Sequence, residues 1–196
     1  MRLFLTRHGE TVENKQGIIQ GHLPGQLTDL GKEQATKLAE RLKDERFDII
    51  YASDLARVED TVEEIAKYHQ GTTLCLSKAL RERNFGDHQG KTKAEVWDED
   101  NLHYHEHVGG ETPEEFYERV NAFWEEIKEK HADQNVLCVS HDGTTTALVA
   151  AITTGSITGM RGQKHFGNTS LSVITVDDEG HDIELTNDMS HLSPIT

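Results

Sequence analysis

The chain has 196 residues, 35% of them hydrophobic, which is enough to bury one sizeable core. Its formal net charge of −15 at pH 7 argues against nucleic acids and anionic membranes as partners, because their phosphates would be repelled by most of the surface. Cys75 and Cys138 lack CxxC spacing, so the sequence indicates neither a zinc knuckle nor a disulfide framework and predicts reduced, buried thiols.

No segment of the sequence has the length of a membrane span. The longest uninterrupted aliphatic run, residues 147–152, is far shorter than the roughly 20 apolar residues that cross a bilayer. Arg7 interrupts the first apolar stretch before a signal peptide could develop. We therefore expect a single domain over residues 1–196, in the cytoplasm and with no membrane partner. The oligomeric state is not predicted, because exposed apolar patches are mapped only on a structure.

Runs of strand length alternate with helical periods in the first half of the chain. Residues 2–6 predict a strand, and residues 31–43 predict a helix with one apolar face. Residues 47–51 predict a second strand, after which Ser53 is expected to cap a helix. Residues 72–76 predict the next strand. The positions on the two apolar helical faces are Ala35, Leu38, Ala39 and Leu42, then Val58, Val62 and Ile65.

The second half of the chain continues the alternation after an irregular segment. Residues 81–112 lack a clear apolar period and are predicted to form a lid or insertion. Thr112 opens a capping box with Pro113 at the first helical position. The helix that follows is expected to bury Phe116, Val120, Phe123 and Ile127.

The last predicted elements are a strand at residues 136–140, a helix at about residues 143–152 and two further strands. These strands cover residues 170–176 and 183–185, with a turn at residues 178–180. Alternating βα units predict an α/β fold, a three-layer α/β/α sandwich with a mainly parallel sheet. In such folds ligands bind beyond the carboxyl ends of the strands.

Three polar segments are expected to converge at that edge of the sheet. Arg7 and His8 end the first strand, and Gly9 lets the backbone approach closely. A histidine beside a fixed cation suits a phosphoryl group, because the imidazole can attack phosphorus while the guanidinium holds two oxygens. Arg57 lies in the first turn of a helix, where unpaired amides already favour an anion. His141 follows the strand at residues 136–140 and could donate to phosphate oxygens.

Each of these residues also has a simpler interpretation. Arg57 could be a solvent-facing cation that pairs with Glu59, Asp60 or Thr61. His141 could be a core histidine with a satisfied hydrogen bond. Glu82 lies between two arginines in a glycine-containing loop. It could protonate a leaving alkoxide if the pocket raises its pKa, or it could form an ordinary ion pair with Arg81 or Arg83.

Ordered motifs along nearly the whole chain resemble those of the histidine phosphatase superfamily, also called the phosphoglycerate mutase-like family. They comprise Arg-His-Gly-Glu-Thr at residues 7–11, Asn14, Gln20-Gly21, Leu-Thr-x-x-Gly at 27–31, Ser-Asp-Leu-x-Arg at 53–57, Leu-Arg-Glu at 80–82 with Phe-Gly at 85–86, Gly-Gly-Glu at 109–111, Ser140-His141, Asn-Asp at 187–188 and Ser-His-Leu at 190–192.

The resemblance implies a phosphoglycerate mutase-like fold and a role for each matching residue. His8 would be the nucleophile that forms a phosphohistidine, and Glu82 the proton donor and then the base for water. The phosphoryl oxygens would be held by Arg7, Arg57 and His141, and the phosphate or substrate would also be contacted by Asn14, Gln20 and Gly21. Two arginines and an imidazole stabilise the charge of a loose phosphoryl-transfer transition state, so no metal and no cofactor are expected.

Within this family, residues 80–90 look like the phosphatase pattern, and a cofactor-dependent phosphoglycerate mutase is the alternative. Asp142 stands where many relatives have glycine, Thr146 where many have arginine, and Ile18 where an arginine is common. An extra carboxylate and fewer cations disfavour a second phosphate on the substrate. We therefore expect a small phosphorylated metabolite with one phosphate ester, which the sequence does not name.

Two rival functions belong to other classes. A non-catalytic phospholigand-binding module would need neither the nucleophile His8 nor the acid Glu82. A metal-dependent hydrolase could use His103, His105 and His107, whose alternate spacing places three imidazoles on one face of an extended strand. No carboxylate-histidine helix motif accompanies them, which favours a polar lid that contains histidines.

Overall fold

The computed structural model describes residues 1–96, 109–161 and 163–193. The strands are β1 (Arg2–Arg7), β2 (Ile49–Ala52), β3 (Thr73–Leu76), β4 (Asn135–Ser140), β5 (Leu171–Asp177) and β6 (Gly180–Asp188). The α-helices are α1 (Val12–Gln16), α2 (Asp29–Leu42), α3 (Ala56–Ala66), α4 (Lys93–Val96), α5 (Pro113–Lys130) and α6 (Asp142–Thr154). Short 3₁₀ turns cover Lys78–Leu80, Gly86–His88, Ile157–Met160 and Ser190–Leu192.

The strands of the described residues form one sheet in the order β3-β2-β4-β1-β5-β6. The pairs β2–β3, β2–β4 and β1–β4 are parallel, whereas β1–β5 and β5–β6 are antiparallel. The predicted mainly parallel sheet is therefore confirmed. The carboxyl ends of β1 and β4 lie side by side, because Arg7 pairs with Ser140 in the parallel register.

Alternation along the central strands divides the core between the two faces of the sheet. Leu3 and Leu5 of β1 pack into a cluster with α5 and α6, whereas Phe4 packs into a second cluster with α2 and α3. This period-two pattern places helices on both faces and confirms the predicted three-layer α/β/α sandwich. The apolar positions predicted for the helical faces are all buried, and all except Ala35 belong to these two clusters.

Most predicted boundaries agree with the structure to within a few residues, but the predicted role of Ser53 as a helix cap is wrong. Leu55 occupies the N-cap of α3 and makes no side-chain cap hydrogen bond. Ser53 Oγ instead accepts from the Leu55 N–H at 3.4 Å, before the helix begins. By contrast, Thr112 forms the predicted capping box with Glu115, with Pro113 in the first turn of α5.

Three further predictions concern the cysteines, the membrane and the lid. Both cysteines are free; Cys138 is buried as predicted, but Cys75 is only half-buried because it lies on the edge strand β3. Among the described helices, none combines the length and the apolar composition that a bilayer span requires. The predicted lid at residues 81–112 stays a prediction, since the structure describes only residues 81–96 and 109–112 of it.

Candidate active site

The ends of β1 and β4 bring His8 and His141 together. The centroids of their rings are 5.3 Å apart, and the two side chains are 2% and 1% exposed. Arg57, from the first turn of α3, lies against both rings. The three segments expected to converge from the sequence therefore meet at one edge of the sheet.

The geometry around His8 favours one neutral tautomer. Its Nδ1 lies 2.7 Å from the carbonyl oxygen of Gly9, and a carbonyl can only accept, so this nitrogen carries the proton. Nε2 is then left with a lone pair. Burial lowers the pKa of His8 well below its usual range, and the positive charges of Arg57 and Arg7 lower it further. His8 therefore presents an unprotonated Nε2 at neutral pH.

Arg57 is a buried cation that is held on several sides. Its Nε donates to His8 Nε2 at 3.2 Å, and its Nη2 donates to His141 Nδ1 at 3.0 Å and to the Gly21 carbonyl at 2.9 Å. Its Nη1 donates to the Leu23 carbonyl at 2.6 Å. The side chain is 1% exposed, so the alternative of a solvent-facing arginine is wrong. Burial lowers its pKa to about 10, which leaves it charged at neutral pH.

Ser53 and His141 are hydrogen-bonded to each other across the site. His141 Nε2 lies 2.9 Å from Ser53 Oγ, and Nδ1 accepts from Arg57. Burial lowers the pKa of His141 well below its usual range, and the nearby charge of Arg57 adds to this effect. Both ring nitrogens of His141 have hydrogen-bond partners, as the simpler interpretation expects. One of these partners is Arg57, the candidate phosphate-binding cation.

Arg7 contributes a second guanidinium to the site. Its Nη1 donates to the carbonyl of Phe166 at 2.7 Å, which connects β1 to the segment that precedes β5. Its Nε is buried and has no hydrogen-bond partner among the described residues. Burial lowers the pKa of Arg7, and the charges of Asp142 and Glu82 oppose that shift. An unpartnered buried donor beside His8 is what an anionic ligand would satisfy.

Glu82 is half-buried on the lining of the cleft, and it forms an ion pair with neither Arg81 nor Arg83. Its Oε1 accepts from the Arg83 N–H at 2.9 Å and its Oε2 from the Gly143 N–H at 3.0 Å. Arg81 pairs instead with Asp54: its Nε donates to Oδ1 at 2.6 Å and its Nη2 to Oδ2 at 2.7 Å. Burial raises the pKa of Glu82, although the two backbone N–H groups oppose the shift. A raised pKa is the property that a general acid at neutral pH requires.

The three remaining predicted residues also line the cleft. Asn14 Oδ1 accepts from the Thr11 N–H at 3.3 Å, within the capping box of α1. Gln20 Oε1 is buried with no partner among the described residues. Gly21 has a φ of 50°, which favours glycine, and its carbonyl accepts from Arg57. All of the predicted site residues except His141 thus line one cleft, and His141 is joined to it through its hydrogen bond with Arg57.

This cleft has a volume of about 780 Å³ and extends well beyond the histidines. Its outer part carries both signs of charge, positive on Arg83, Lys93 and Arg161 and negative on Glu114 and Asp142. Apolar walls complete it, formed by Ile18, Ile19, Phe85, Phe116, Ile157 and Met160. The site therefore combines a buried cationic end with an open end of mixed polarity.

Two site residues were missed by sequence reasoning because their contacts are long-range. Asn168 Nδ2 donates to the His8 carbonyl at 3.0 Å and to Asn14 Oδ1 at 3.3 Å. The Thr169 N–H donates to the carbonyl of Arg7 at 3.0 Å, and Thr169 has a positive φ of 55°. The polar turn before β5 was the available signal for these residues. The hydrogen bonds from Asn168 and Thr169 fix the backbone of Arg7 and His8, which carries the candidate nucleophile.

The second rival function depended on a histidine cluster. His103, His105 and His107 lie outside the described residues. Within residues 1–96, 109–161 and 163–193, no three histidine, cysteine or acidic side chains are grouped so as to hold a metal ion.

Comparison with known proteins assigns the family. The model of the histidine phosphatase superfamily (branch 1) matches residues 3–189. The putative phosphoserine phosphatase 2 of Hydrogenobacter thermophilus is 33% identical over 204 residues, covering 100% of this chain and 99% of the relative. The metal-independent phosphoserine phosphatase of Arabidopsis thaliana is 33% identical over 204 residues, covering 98% of this chain and 84% of the relative. The crystal structure of the alpha-ribazole phosphatase from Shigella flexneri superposes with a TM-score of 0.85 at 30% identity, covering 96% of each chain.

The chain therefore belongs to the histidine phosphatase superfamily, and its fold is phosphoglycerate mutase-like. It is a phosphatase, an enzyme that hydrolyses phosphate esters. Both conclusions agree with the resemblance found in the sequence, and the binding-module alternative is thereby set aside.

Proposed function

We propose that the protein is a metal-independent phosphomonoesterase that acts through a phosphohistidine on His8. The observation that carries this proposal is the unprotonated Nε2 of His8, which faces the cleft beside Arg57 while Nδ1 is occupied by the Gly9 carbonyl. A lone pair held toward a cationic pocket can attack a phosphoryl group without prior loss of a proton.

In the first half-reaction, His8 Nε2 forms a bond to phosphorus while the ester P–O bond breaks. Glu82, protonated because its pKa is raised, transfers its proton to the leaving oxygen and releases an alcohol. Arg7 and Arg57 hold the equatorial oxygens, whose charge must be stabilised in a loose transition state. His141 joins them as a donor through Nδ1 when Arg57 turns to the phosphate and Ser53 Oγ donates to Nε2. Asn14, Gln20 and Gly21 border the same end of the cleft and complete the phosphate pocket.

In the second half-reaction, water replaces the alcohol. The Glu82 carboxylate takes a proton from this water while the water oxygen attacks phosphorus and the P–N bond to His8 breaks. Inorganic phosphate leaves, and neutral His8 and protonated Glu82 are restored, so atoms and charges balance over the cycle.

The substrate that we propose is a small metabolite with one phosphate ester and a zwitterionic remainder, of the phosphoserine type. The outer cleft carries both signs of charge, which suits a leaving group with an ammonium and a carboxylate. Two relatives that match nearly this whole chain are named phosphoserine phosphatases. The carboxylate of Asp142 argues against a second phosphate. We also propose a cytoplasmic location, where the two free thiols would stay reduced.

A panel of phosphorylated metabolites tests this proposal. Phosphoserine, phosphothreonine, 3-phosphoglycerate and p-nitrophenyl phosphate are compared for released phosphate, with the His8→Ala variant as the blank. The same 3-phosphoglycerate samples are assayed for 2-phosphoglycerate, which tests the mutase alternative. The expected result is phosphate release with phosphoserine as the best natural substrate and no isomer. Isomer formation faster than phosphate release would contradict the proposal.

A further inference from the structure

Arg119 and Glu111 form an ion pair behind the loop that carries Glu82. Arg119 Nε donates to Glu111 Oε1 at 2.6 Å, and Nη2 donates to Oε2 at 2.8 Å. Both side chains are about one-fifth exposed, at 22% and 21%. The bidentate geometry fixes the plane of the guanidinium and therefore the direction of its remaining N–H groups.

Those remaining N–H groups point at the backbone of the Glu82 loop. Arg119 Nη1 donates to the carbonyls of Ala79 at 2.8 Å and Arg81 at 3.1 Å, and Nη2 donates to the Glu82 carbonyl at 3.3 Å. The same Glu82 carbonyl lies 2.8 Å from His22 Nε2, so it is held from two sides. The Arg119 side chain on α5 thus binds the carbonyl before Glu82 and the carbonyl of Glu82 itself.

Glu111 holds the other end of the same loop. Its Oε2 accepts from the Asn84 N–H at 2.8 Å, its N–H donates to the Asn84 carbonyl at 2.8 Å, and its carbonyl accepts from Arg83 Nε at 2.8 Å. The ion pair therefore spans the loop from residue 79 to residue 84, with Glu82 inside it.

The placement of the Glu82 carboxylate depends on this backbone. One carboxylate oxygen accepts from its neighbour Arg83, and the other from Gly143 at the start of α6. A Cβ at position 143 would lie 2.3 Å from Glu82 Oε1, so the carboxylate fits closely against α6. A shift of the loop by a few tenths of an ångström would break this fit and move the proton away from the leaving oxygen.

We propose that Arg119 and Glu111 are positioning residues that hold Glu82 in register with α6 for proton transfer to the leaving group. This inference rests on the proposed acid role of Glu82. Neither side chain reaches the phosphate pocket, so the pair acts through Glu82 and leaves the phosphate clamp unchanged. Its loss should slow substrates that need a proton on the leaving group more than substrates that do not.

The test compares an alkyl phosphate, phosphoserine, with an aryl phosphate, p-nitrophenyl phosphate, in the full-length protein. The readout is kcat/KM, which covers only the first half-reaction and so excludes the later base role of Glu82, which both substrates share. Arg119→Met should lower kcat/KM for phosphoserine by about 10-fold to 100-fold, the range expected for a displaced catalytic group, and for p-nitrophenyl phosphate by less than about threefold. The inhibition constant of inorganic phosphate should change little, because the phosphate clamp is intact. Arg119→Lys should recover only part of the loss, because an ammonium cannot reproduce the bidentate geometry.

Three further variants make the result decisive. Lys128→Met removes an exposed cation from the same helix and should leave both rates unchanged. Glu111→Gln keeps the shape of the pair and should show the same selectivity if Arg119→Met fails to fold. In a Glu82→Gln background, Arg119→Met should add no further loss, because the residue through which it acts is already absent.

The outcomes separate this inference from the proposed function. If Glu82→Gln lowers kcat/KM equally for both substrates, the acid role of Glu82 fails and this inference fails with it. If Glu82→Gln lowers kcat/KM selectively for phosphoserine but the Arg119 and Glu111 variants lower it equally for both substrates, or add to Glu82→Gln, the positioning role alone is overturned and the pair is merely structural.

Discussion

Arg57 donates its Nε–H to Nε2 of His8 over 3.2 Å, so the candidate nucleophile and the candidate phosphate clamp are already joined in the free site. The same guanidinium reaches His141 at 3.0 Å. Burial lowers the pKa of both imidazoles well below the usual range, and the charge of Arg57 lowers it further, which keeps both neutral. An arriving phosphate dianion would accept the Arg57 N–H donors and so free the His8 lone pair for attack.

The first prediction concerns the nucleophile. His8→Ala should lower kcat by at least about 10⁴-fold, because it removes the nitrogen on which the covalent intermediate forms. The wild-type protein quenched during turnover of ³²P-labelled substrate should carry acid-labile, base-stable phosphate, and the variant should carry none. His181→Ala, a change at an exposed histidine on β6, is the control. A His8→Ala protein with one-tenth of the activity would rule out the assignment.

The second prediction concerns the clamp. Arg57→Ala should lower kcat/KM by about 10² to 10³-fold, since it removes charge-assisted donors from oxygens whose charge increases in the transition state. Arg57→Lys should recover only part of this activity, because lysine lacks the planar fork. Arg46→Ala, at an exposed site, provides the matched loss of charge. Wild-type kinetics for Arg57→Ala would show that α3 plays no part in phosphate binding.

The third prediction is the pH dependence of kcat/KM for an alkyl phosphate, which reports the free enzyme and the first half-reaction. Burial raises the pKa of Glu82 and lowers the pKa of His8. Glu82 donates only when protonated, so kcat/KM should fall as pH rises through its raised pKa. His8 attacks only when neutral, so its lowered pKa should preserve activity well below pH 6.5. In Glu82→Gln the loss on the alkaline side should disappear; its persistence would assign that loss to another group.

The fourth prediction concerns metal removal and a transition-state mimic. EDTA should leave activity unchanged, because two arginines and an imidazole supply the charge stabilisation that a metal would otherwise provide. Orthovanadate, which adopts the five-coordinate geometry of the transferring phosphoryl group, should inhibit competitively. Activity is measured after dialysis against chelator and again after zinc or magnesium is added. Loss on chelation with recovery on zinc would overturn the metal-free mechanism and direct attention to His103, His105 and His107.

The fifth prediction concerns Asp142, whose carboxylate lies on the lining of the cleft. Its Oδ1 accepts from the Phe166 N–H at 2.8 Å, and the Phe166 carbonyl accepts from Arg7. Asp142→Asn keeps an acceptor for Phe166 but removes a negative charge from the cleft. Inorganic phosphate should therefore inhibit this variant about threefold to tenfold more strongly, corresponding to roughly 1 kcal/mol of relieved repulsion.

Asp142→Ala supplies the comparison, because it removes both the charge and the acceptor. Part of the gain in phosphate affinity should be lost in this variant, since Arg7 is then held less firmly. The test is the inhibition constant of phosphate at pH 7, measured on Asp142→Asn, Asp142→Ala and wild type. The three proteins should have equal melting temperatures. The expected order of phosphate affinity is Asp142→Asn, then Asp142→Ala, then wild type. Weaker phosphate binding by Asp142→Asn than by wild type would contradict the electrostatic argument.

The sequence alone was sufficient to predict the parallel core of the sheet and the edge at which the site lies. Strand patterning and motif position depend on neighbouring residues, so His8 and His141 could be placed at strand ends and Arg57 at a helix start. Local reasoning failed at Ser53, which is adjacent to a helix but is not its cap. Its hydroxyl is instead 2.9 Å from an imidazole 88 positions further along the chain.

Tertiary structure decided which partners these side chains have and therefore their protonation. Arg7 meets Phe166 across 159 positions, Glu82 meets Gly143 across 61, and Arg119 meets the Glu82 carbonyl across 37. Burial in a folded core sets the direction in which the pKa values of His8 and Glu82 move, and burial is a property of packing between distant segments. Residue order specifies which chemical groups are available, whereas packing specifies their charge, their orientation and the distances between them.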